Sequence, residues 1–201
     1  MASEVDLCNL ALSRLGDSAT VASIDPPEGS AQAEHCSRFY PIARDSLLEM
    51  HDWKFATRRT TLSELTADSF NWAHAYAEPN GALRIVSVLD ATASADDESA
   101  PYAAESGDDG AALIYTDLQN ATARYVARVT DTTKFSPLFA DALAWLLASH
   151  IAGPLIKGTA GQAAAKSCYT NFNLVFSYAK VSDANQRKSD PTHAPGWIAG
   201  R

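Results

Sequence analysis

The 201-residue chain has little cysteine and no long apolar run, and both absences narrow the class of protein. Cys8, Cys36 and Cys168 are odd in number and far apart, so they do not indicate a disulfide scaffold or a metal-binding pair. The start lacks the basic segment of a signal peptide, and no apolar run approaches the ~18 residues needed to span a bilayer. The sequence therefore disfavours secreted and membrane proteins and favours a reducing compartment.

Positive charge is also scarce, with 16 Lys and Arg against 24 Asp and Glu and a net charge of −8. This balance disfavours a protein that coats nucleic acid, because phosphate neutralisation needs clustered basic residues. The net charge is −5 over residues 1–70, −6 over 71–130 and +3 over 131–201. A chain with surfaces of opposite sign can stack on copies of itself or on a charged partner.

The common catalytic and cofactor motifs are missing, including phosphate-binding glycine loops, nucleophile elbows and zinc-binding helices. The five histidines are too far apart in sequence to indicate a metal site. We therefore predict no enzyme activity, cofactor or metal. The alternative to a protein without enzyme activity is a carbohydrate- or peptidoglycan-cleaving hydrolase, using two carboxylates of the acidic middle region. Its candidate residues are Asp96, Asp97, Glu98, Glu105, Asp108 and Asp109.

Residues 1–70 are predicted to be the first part of a helical body. Ser3 with Asp6 is typical of a capping box, and Val5, Cys8, Leu12 and Leu15 follow at helical spacing. A second helix is expected from after Ser30 to about Met50, kinked at Pro41.

Residues 131–186 are predicted to be the second part of the helical body. Ser136 before Pro137 is typical of a helix start, and Gly153-Pro154 is expected to break or kink that helix. Thr159 can cap the next helix, which is expected to run to about Ala184.

Between them, residues 71–130 are predicted to be an inserted β-rich region, with a hairpin from Tyr102–Glu105 and Ala112–Tyr115. Residues 187–201 contain two prolines and two glycines and are predicted to be an extended C-terminal tail. The predicted fold class is α+β. It is mainly an α-helical bundle of N- and C-terminal helices, with a small antiparallel β region inserted.

Five segments in order resemble the tail adaptor proteins of short-tailed bacteriophages, the tail tubular protein A-like head-to-tail connectors. Cys8–Gly16 resembles the start of that family, and Phe39–Leu48 and His51–Arg58 resemble its next helix and the turn after it. Trp72–Val86 and Tyr125–Ala144 complete the resemblance, which covers about residues 4–180.

The resemblance implies a structural virion protein without catalysis. Such adaptors form a ring of twelve copies between the portal protein and the tail nozzle protein and help to retain packaged DNA. DNA passes through the lumen without sequence-specific binding, and no membrane is involved. The implied location is the neck or tail of the virion, with the host cytoplasm during assembly.

The C-terminal tail is the predicted portal-binding element, since the family's C-terminal segment reaches the portal. Its candidate residues are an apolar pair and three cations: Arg187, Lys188, Trp197, Ile198 and Arg201. A bulky apolar pair on a polar tail is typical of a docking anchor. The isolated subunit is expected to be a monomer, because a ring that closed early would prevent ordered assembly.

Overall fold

The computed structural model describes residues 3–66, 70–92, 99–107 and 110–186. Within these ranges the helices are α1 (Glu4–Arg14), α2 (Ala31–Glu49), α3 (Pro137–Ile156) and α4 (Gly158–Ala184). The strands are β1 (Thr57–Thr61), β2 (Glu64–Leu65), β3 (His74–Ala77), β4 (Ala82–Leu89), β5 (Ser99–Ala100), β6 (Tyr102–Ser106), β7 (Ala112–Thr116) and β8 (Thr122–Ala127). The α+β class is therefore confirmed, while the predicted tail, residues 187–201, lies outside the described residues.

Three of the four described helices, α1, α2 and α3, start at serine caps, as the sequence predicts. Ser3 Oγ accepts a bond from the Asp6 N–H at 3.1 Å, and Asp6 Oδ2 accepts one from the Ser3 N–H at 2.8 Å. Ser30 caps α2 and Ser136 caps α3 in the same way. Each cap satisfies a backbone donor that the first helical turn leaves without a partner.

The prediction that the helical bundle dominates was wrong, because the described chain forms two four-stranded antiparallel sheets. One sheet has the order β1-β8-β4-β5 and the other β2-β3-β7-β6. The β-rich part already begins at Thr57, inside the part predicted to be helical. Three of the five residues of β1 are threonines, and β-branched side chains favour strands. The predicted hairpin is confirmed as β6 paired with β7.

The sheet β1-β8-β4-β5 forms a middle layer between the helices and the second sheet. Val126 of β8 is buried in the helical core, whereas Tyr125 beside it packs between the two sheets. Tyr76 and Ile114 meet Tyr125 from the second sheet. Successive residues of a strand point to opposite faces, so one strand contributes to both cores. The fold is thus three layers: helices, sheet, sheet.

Ion pairs attach α2 to the middle layer. Asp45 Oδ2 accepts a hydrogen bond from Arg128 Nε at 2.8 Å, and Asp45 Oδ1 accepts one from Arg44 Nε at 2.8 Å. Asp52, just after α2, pairs with Arg84 of β4. These contacts fix the direction in which the sheets leave the helical body.

The helical core confirms the expectation that the two ends of the chain pack together. α3 lies against α1, α2 and α4. It is also long and apolar enough to cross a membrane by length and composition alone, which the inspection of apolar runs missed. Half of its most apolar window is buried among the other helices, and a core helix shows this same composition.

Both helix-internal prolines are accommodated without ending a helix. α2 continues through Pro41, and α3 continues through Gly153 and Pro154 to Ile156. Of the two outcomes expected at Gly153-Pro154, a break and a kink, the break is therefore wrong. Thr159 is not a cap either, since α4 begins at Gly158 and its N-cap position is Lys157. A single residue therefore joins the two longest helices.

That linking residue is strained, and relieving the strain is expected to stabilise the protein. Lys157 has φ 62° and ψ 166°, a region that is essentially restricted to glycine and costs other residues ~1–3 kcal/mol. Lys157→Gly should therefore raise the free energy of unfolding by about 1 kcal/mol, after the larger unfolded-state entropy of glycine is counted. Thermal unfolding measures the change. Lys166→Gly on the exposed side of α4 is the matched control and should destabilise by a similar amount; stabilisation by both variants, or by neither, would contradict the strain.

Between α2 and α3, a half-buried histidine gives the stability a defined pH dependence. His150 stacks on Phe39 with ring centroids 6.2 Å apart, and burial lowers the pKa of His150. A lowered pKa means that the unfolded chain binds more protons as the pH falls below the ordinary histidine pKa of about 6.5. The contribution of His150 to the free energy of unfolding should then be constant above about pH 6.5 and should decline as the pH falls below that value. Urea midpoints at several pH values test this, and His150→Gln should show a shallower decline over the same range.

Candidate interaction surface

One face of α4 is apolar and exposed. Leu174, Tyr178 and Val181 are 55%, 60% and 61% exposed, and their spacing of four and three residues places them on one side of the helix. We call these three residues the α4 outer face. The opposite side of α4 buries Cys168, Phe172 and Ala179, among others, in the helical core. Nothing in the described chain covers the outer face, which makes it a candidate contact surface for another molecule.

A buried carboxylate fixes the end of the same helix. Asp183 is 6% exposed, and its carboxylate accepts hydrogen bonds from the Lys54 N–H at 3.1 and 3.3 Å. His51 Nε2 lies 3.3 Å from Asp183 Oδ2 without the alignment of a hydrogen bond. The last turn of α4 is therefore held against the segment that follows α2, so the chain leaves α4 from a fixed point.

Aromatic side chains pack against His51, the neighbour of the buried Asp183 carboxylate. The Trp53 ring is buried and meets His51 edge-on, with centroids 4.8 Å apart. It also lies 4.9 Å from Phe139 of α3 and 6.1 Å from Phe176 of α4. Trp53 Nε1 donates to the Leu47 carbonyl at 2.8 Å. The end of α4, the end of α2 and the start of α3 thus share one aromatic cluster.

The predicted portal-binding residues all lie outside the described residues. Arg187 and Lys188 follow the last residue of α4, Ala184, by three and four positions, and Trp197, Ile198 and Arg201 lie further along. The α4 outer face and Asp183 lie on the helix that precedes them in the chain. The sequence analysis missed both. It gave the approximate end of α4 but did not trace its exposed apolar stripe, which helical spacing would have found.

Most of the candidate hydrolase residues also fall outside the described ranges. Asp96, Asp97, Glu98, Asp108 and Asp109 are not described, and Glu105 is exposed on β6. Among the described residues, no group of three or more His, Cys, Asp or Glu side chains could hold a metal ion.

A polar cleft of about 290 Å³ lies where the links β1–β2 and β3–β4 approach Tyr125. Burial raises the pKa of Glu78 in this cleft. Of the described residues that line it, Glu78 alone carries a carboxylate. Glycoside hydrolysis uses two carboxyl groups across the scissile bond, so the described lining supplies half of that arrangement.

His35, His74, His150 and Arg14 have structural settings in the described chain. His35 and His150 flank Phe39 between α2 and α3. His74 Nδ1 lies 2.7 Å from Glu64 Oε1 across β2 and β3. Arg14 joins α1 to α3 through Asp141 at 2.6 Å. These contacts hold elements together and do not assemble reactive side chains into a catalytic site.

Comparison with protein-family models finds no match to this chain, and no curated protein matches it at a significant level. The class that the geometry defines is an α+β protein with an apolar face on α4, the last described helix, that no other described residue covers.

Proposed function

We propose that this protein is a structural virion component, a ring-forming adaptor that joins the portal to the tail of a short-tailed bacteriophage and helps to retain packaged DNA. Its partners are the portal protein, the tail nozzle protein and further copies of itself. It acts in the neck of the virion after assembly in the host cytoplasm, and it needs no cofactor.

The α4 outer face is the observation that carries the proposal. An exposed face of two aliphatic side chains and a tyrosine is suited to a protein partner, because apolar and aromatic residues supply most of the energy at interface centres. The partner is the portal protein. This choice rests on continuity, because the face lies on the helix that leads directly into the predicted portal-binding residues 187–201.

Charge and architecture support the same role. The C-terminal third carries seven basic and four acidic residues, in a protein with a net charge of −8. Segments of opposite net charge favour an ordered contact with a charged partner or with a neighbouring copy. The three-layer fold has the second sheet on the far side of the middle layer from the helical core, which leaves separate surfaces for the portal, the nozzle and neighbouring copies.

The test is binding to the portal ring encoded in the same genome. The wild-type subunit should be monomeric alone by light scattering and should form a ring on the portal, visible by electron microscopy. The double variant Leu174→Ser/Tyr178→Ser should bind about tenfold more weakly or worse, since it removes the centre of the apolar contact.

The matched control is Ile42→Ser/Met50→Ser, which removes the side chains of Ile42 on α2 and of Met50 at its C-cap, which are 52% and 48% exposed. This control should bind the portal like the wild type. Equal binding by both double variants would remove the α4 outer face from the proposal. Failure of the wild-type protein to bind the portal ring at all would overturn the function.

A further inference from the structure

Two arginines lie directly opposite each other on neighbouring strands of the middle layer. Arg59 of β1 is in register with Arg124 of β8, and Arg124 is in turn in register with Ser87 of β4. We call these three residues the arginine row. Residues directly opposite across antiparallel strands have side chains on the same face of the sheet, with Cβ atoms about 4.5–5.5 Å apart. Like charges placed in this way repel each other, so an anion beside the row would stabilise it.

The arginine row lies on the helix-side face of the middle layer, where the helical core ends. Val126, two positions along β8 from Arg124, shares this face and is buried in the helical core. Arg124 is only half-buried, and Arg59 beside it is exposed. The next opposed pair on the same face, Thr61 and Thr122, adds two hydroxyl groups. The face is therefore polar and open to solvent from Arg124 onward.

Ser87 brings an unsatisfied hydroxyl to the same row. Ile85 and Val88, on either side of it in β4, pack between the two sheets, and the bulge that follows Ile85 places Ser87 on the other face, beside Arg124. Ser87 is 5% exposed, and its buried Oγ has no hydrogen-bond partner in the described part of the chain. A buried hydroxyl without a partner is unfavourable, so Ser87 indicates a bond that a ligand can supply.

Arg124 has bonding capacity that the described fold does not use. Four other arginines pair with described carboxylates: Arg14, Arg44, Arg84 and Arg128. No ion pair joins Arg124 to a carboxylate among the described residues. Taking a guanidinium partly out of water without a counter-charge is unfavourable. A bound anion would supply that charge.

We propose that the arginine row is a binding site for a phosphate group, either free phosphate or the terminal phosphate of an organic ester. A guanidinium donates two parallel hydrogen bonds to phosphate oxygens. A terminal phosphate carries a charge of about −1.5 to −2 at pH 7 and three acceptor oxygens. The two guanidiniums match this charge, and together with the Ser87 hydroxyl they match the number of acceptors. A carboxylate has one charge and two oxygens, which one guanidinium satisfies.

Arg58 gives a matched control on the same strand. It is next to Arg59 in β1 and is also exposed, but it is in register with Tyr125, which packs between the two sheets. Its side chain therefore leaves the opposite face of the sheet. Arg58→Gln removes the same charge from the same sheet without changing the arginine row.

The experiment titrates the purified full-length protein with inorganic phosphate at constant ionic strength, with chloride as the reference anion. The wild type should show saturable binding by calorimetry, and its melting temperature should rise with phosphate concentration. Arg124→Gln should weaken phosphate binding at least about tenfold, because it removes the guanidinium without another counter-charge. Arg124→Lys keeps the charge but loses the fork and should fall between the two. Arg58→Gln should bind phosphate like the wild type.

Ser87→Ala separates a ligand-binding hydroxyl from a structural one. It should weaken phosphate binding severalfold. In phosphate-free buffer it should melt no lower than the wild type, because the hydroxyl that it removes has no partner there. A lower melting temperature without phosphate, combined with unchanged phosphate binding, would remove Ser87 from the site and contradict the proposal.

Two further ligands complete the test. Adenosine monophosphate that binds more tightly than inorganic phosphate would assign an organic ester as the source, and equal or weaker binding would assign free phosphate. Acetate should bind at least about tenfold more weakly than phosphate. The wild-type titrations need no variant, so the test stands if a substitution prevents folding. Binding that chloride or acetate reproduces, or equal losses in Arg58→Gln and Arg124→Gln, would overturn the proposal. The portal contact lies on α4, so neither result depends on it.

Discussion

A chain that ends at Gln186 is expected to fold as stably as the full protein and to lose portal binding. The described residues 3–186 already contain an extensive buried core, and the Asp183 carboxylate anchors the end of α4 by accepting hydrogen bonds from the Lys54 N–H. The lost residues include Trp197 and Ile198. Burying such a pair removes ~250 Å² of apolar surface from water, which contributes on the order of 6 kcal/mol before the ordering entropy is subtracted. The expected loss of affinity is roughly a thousandfold or more.

The measurement combines thermal unfolding with binding to the portal ring. Trp197→Ala should reproduce much of the loss. A variant with Arg187 and Lys188 changed to Gln should mainly make the affinity for the portal less dependent on salt concentration. Portal binding that survives truncation would contradict the role of the tail. A large drop in melting temperature on truncation would show that the tail belongs to the core.

The helix starts were predictable because their signals are local. Ser3, Ser30 and Ser136 each satisfy a backbone donor within their own first turn, so a single sequence contains the whole interaction. Of the two outcomes expected at Gly153-Pro154, a break and a kink, the break was wrong. Pro154 has a strong local effect, but α3 packs against three other helices, and that tertiary packing maintains a helix across a missing backbone bond.

The sheets and the candidate surface depend on contacts between distant residues. The strand Thr57–Thr61 pairs with Thr122–Ala127, and a pairing partner more than sixty residues away leaves no trace in the local pattern. Asp183 was similarly hidden. In the sequence it is only a polar residue near the end of a helix. The fold brings it beside the Lys54 N–H, which is 129 positions away in sequence. The aromatic group of Trp53 and Phe55 was visible in the sequence, but its partners on α3 and α4 were not.

The largest loss of stability is expected from Trp53→Ala. The ring is 0% exposed, and it contacts the aromatic residues Phe139 and Phe176 on two helices that begin more than eighty residues later. Removing a buried tryptophan leaves a cavity that the neighbouring backbones cannot fully close, and such substitutions cost about 3–5 kcal/mol. The variant also leaves the Leu47 carbonyl without its side-chain donor. Urea unfolding followed by circular dichroism measures the change.

Two matched variants separate the contributions. Trp53→Phe keeps an aromatic ring but loses the donor to Leu47, so its loss should be about 1–2 kcal/mol. Trp72 packs against a small cluster on the outer side of the second sheet. Trp72→Ala should lose less stability than Trp53→Ala because Trp72 is only partly buried. Since Trp53 lies against both α4 and His51 beside Asp183, its loss should also weaken portal binding through the displaced end of α4. If Trp72→Ala were the more damaging change, the shared core of the first and last helices would not be the centre of stability.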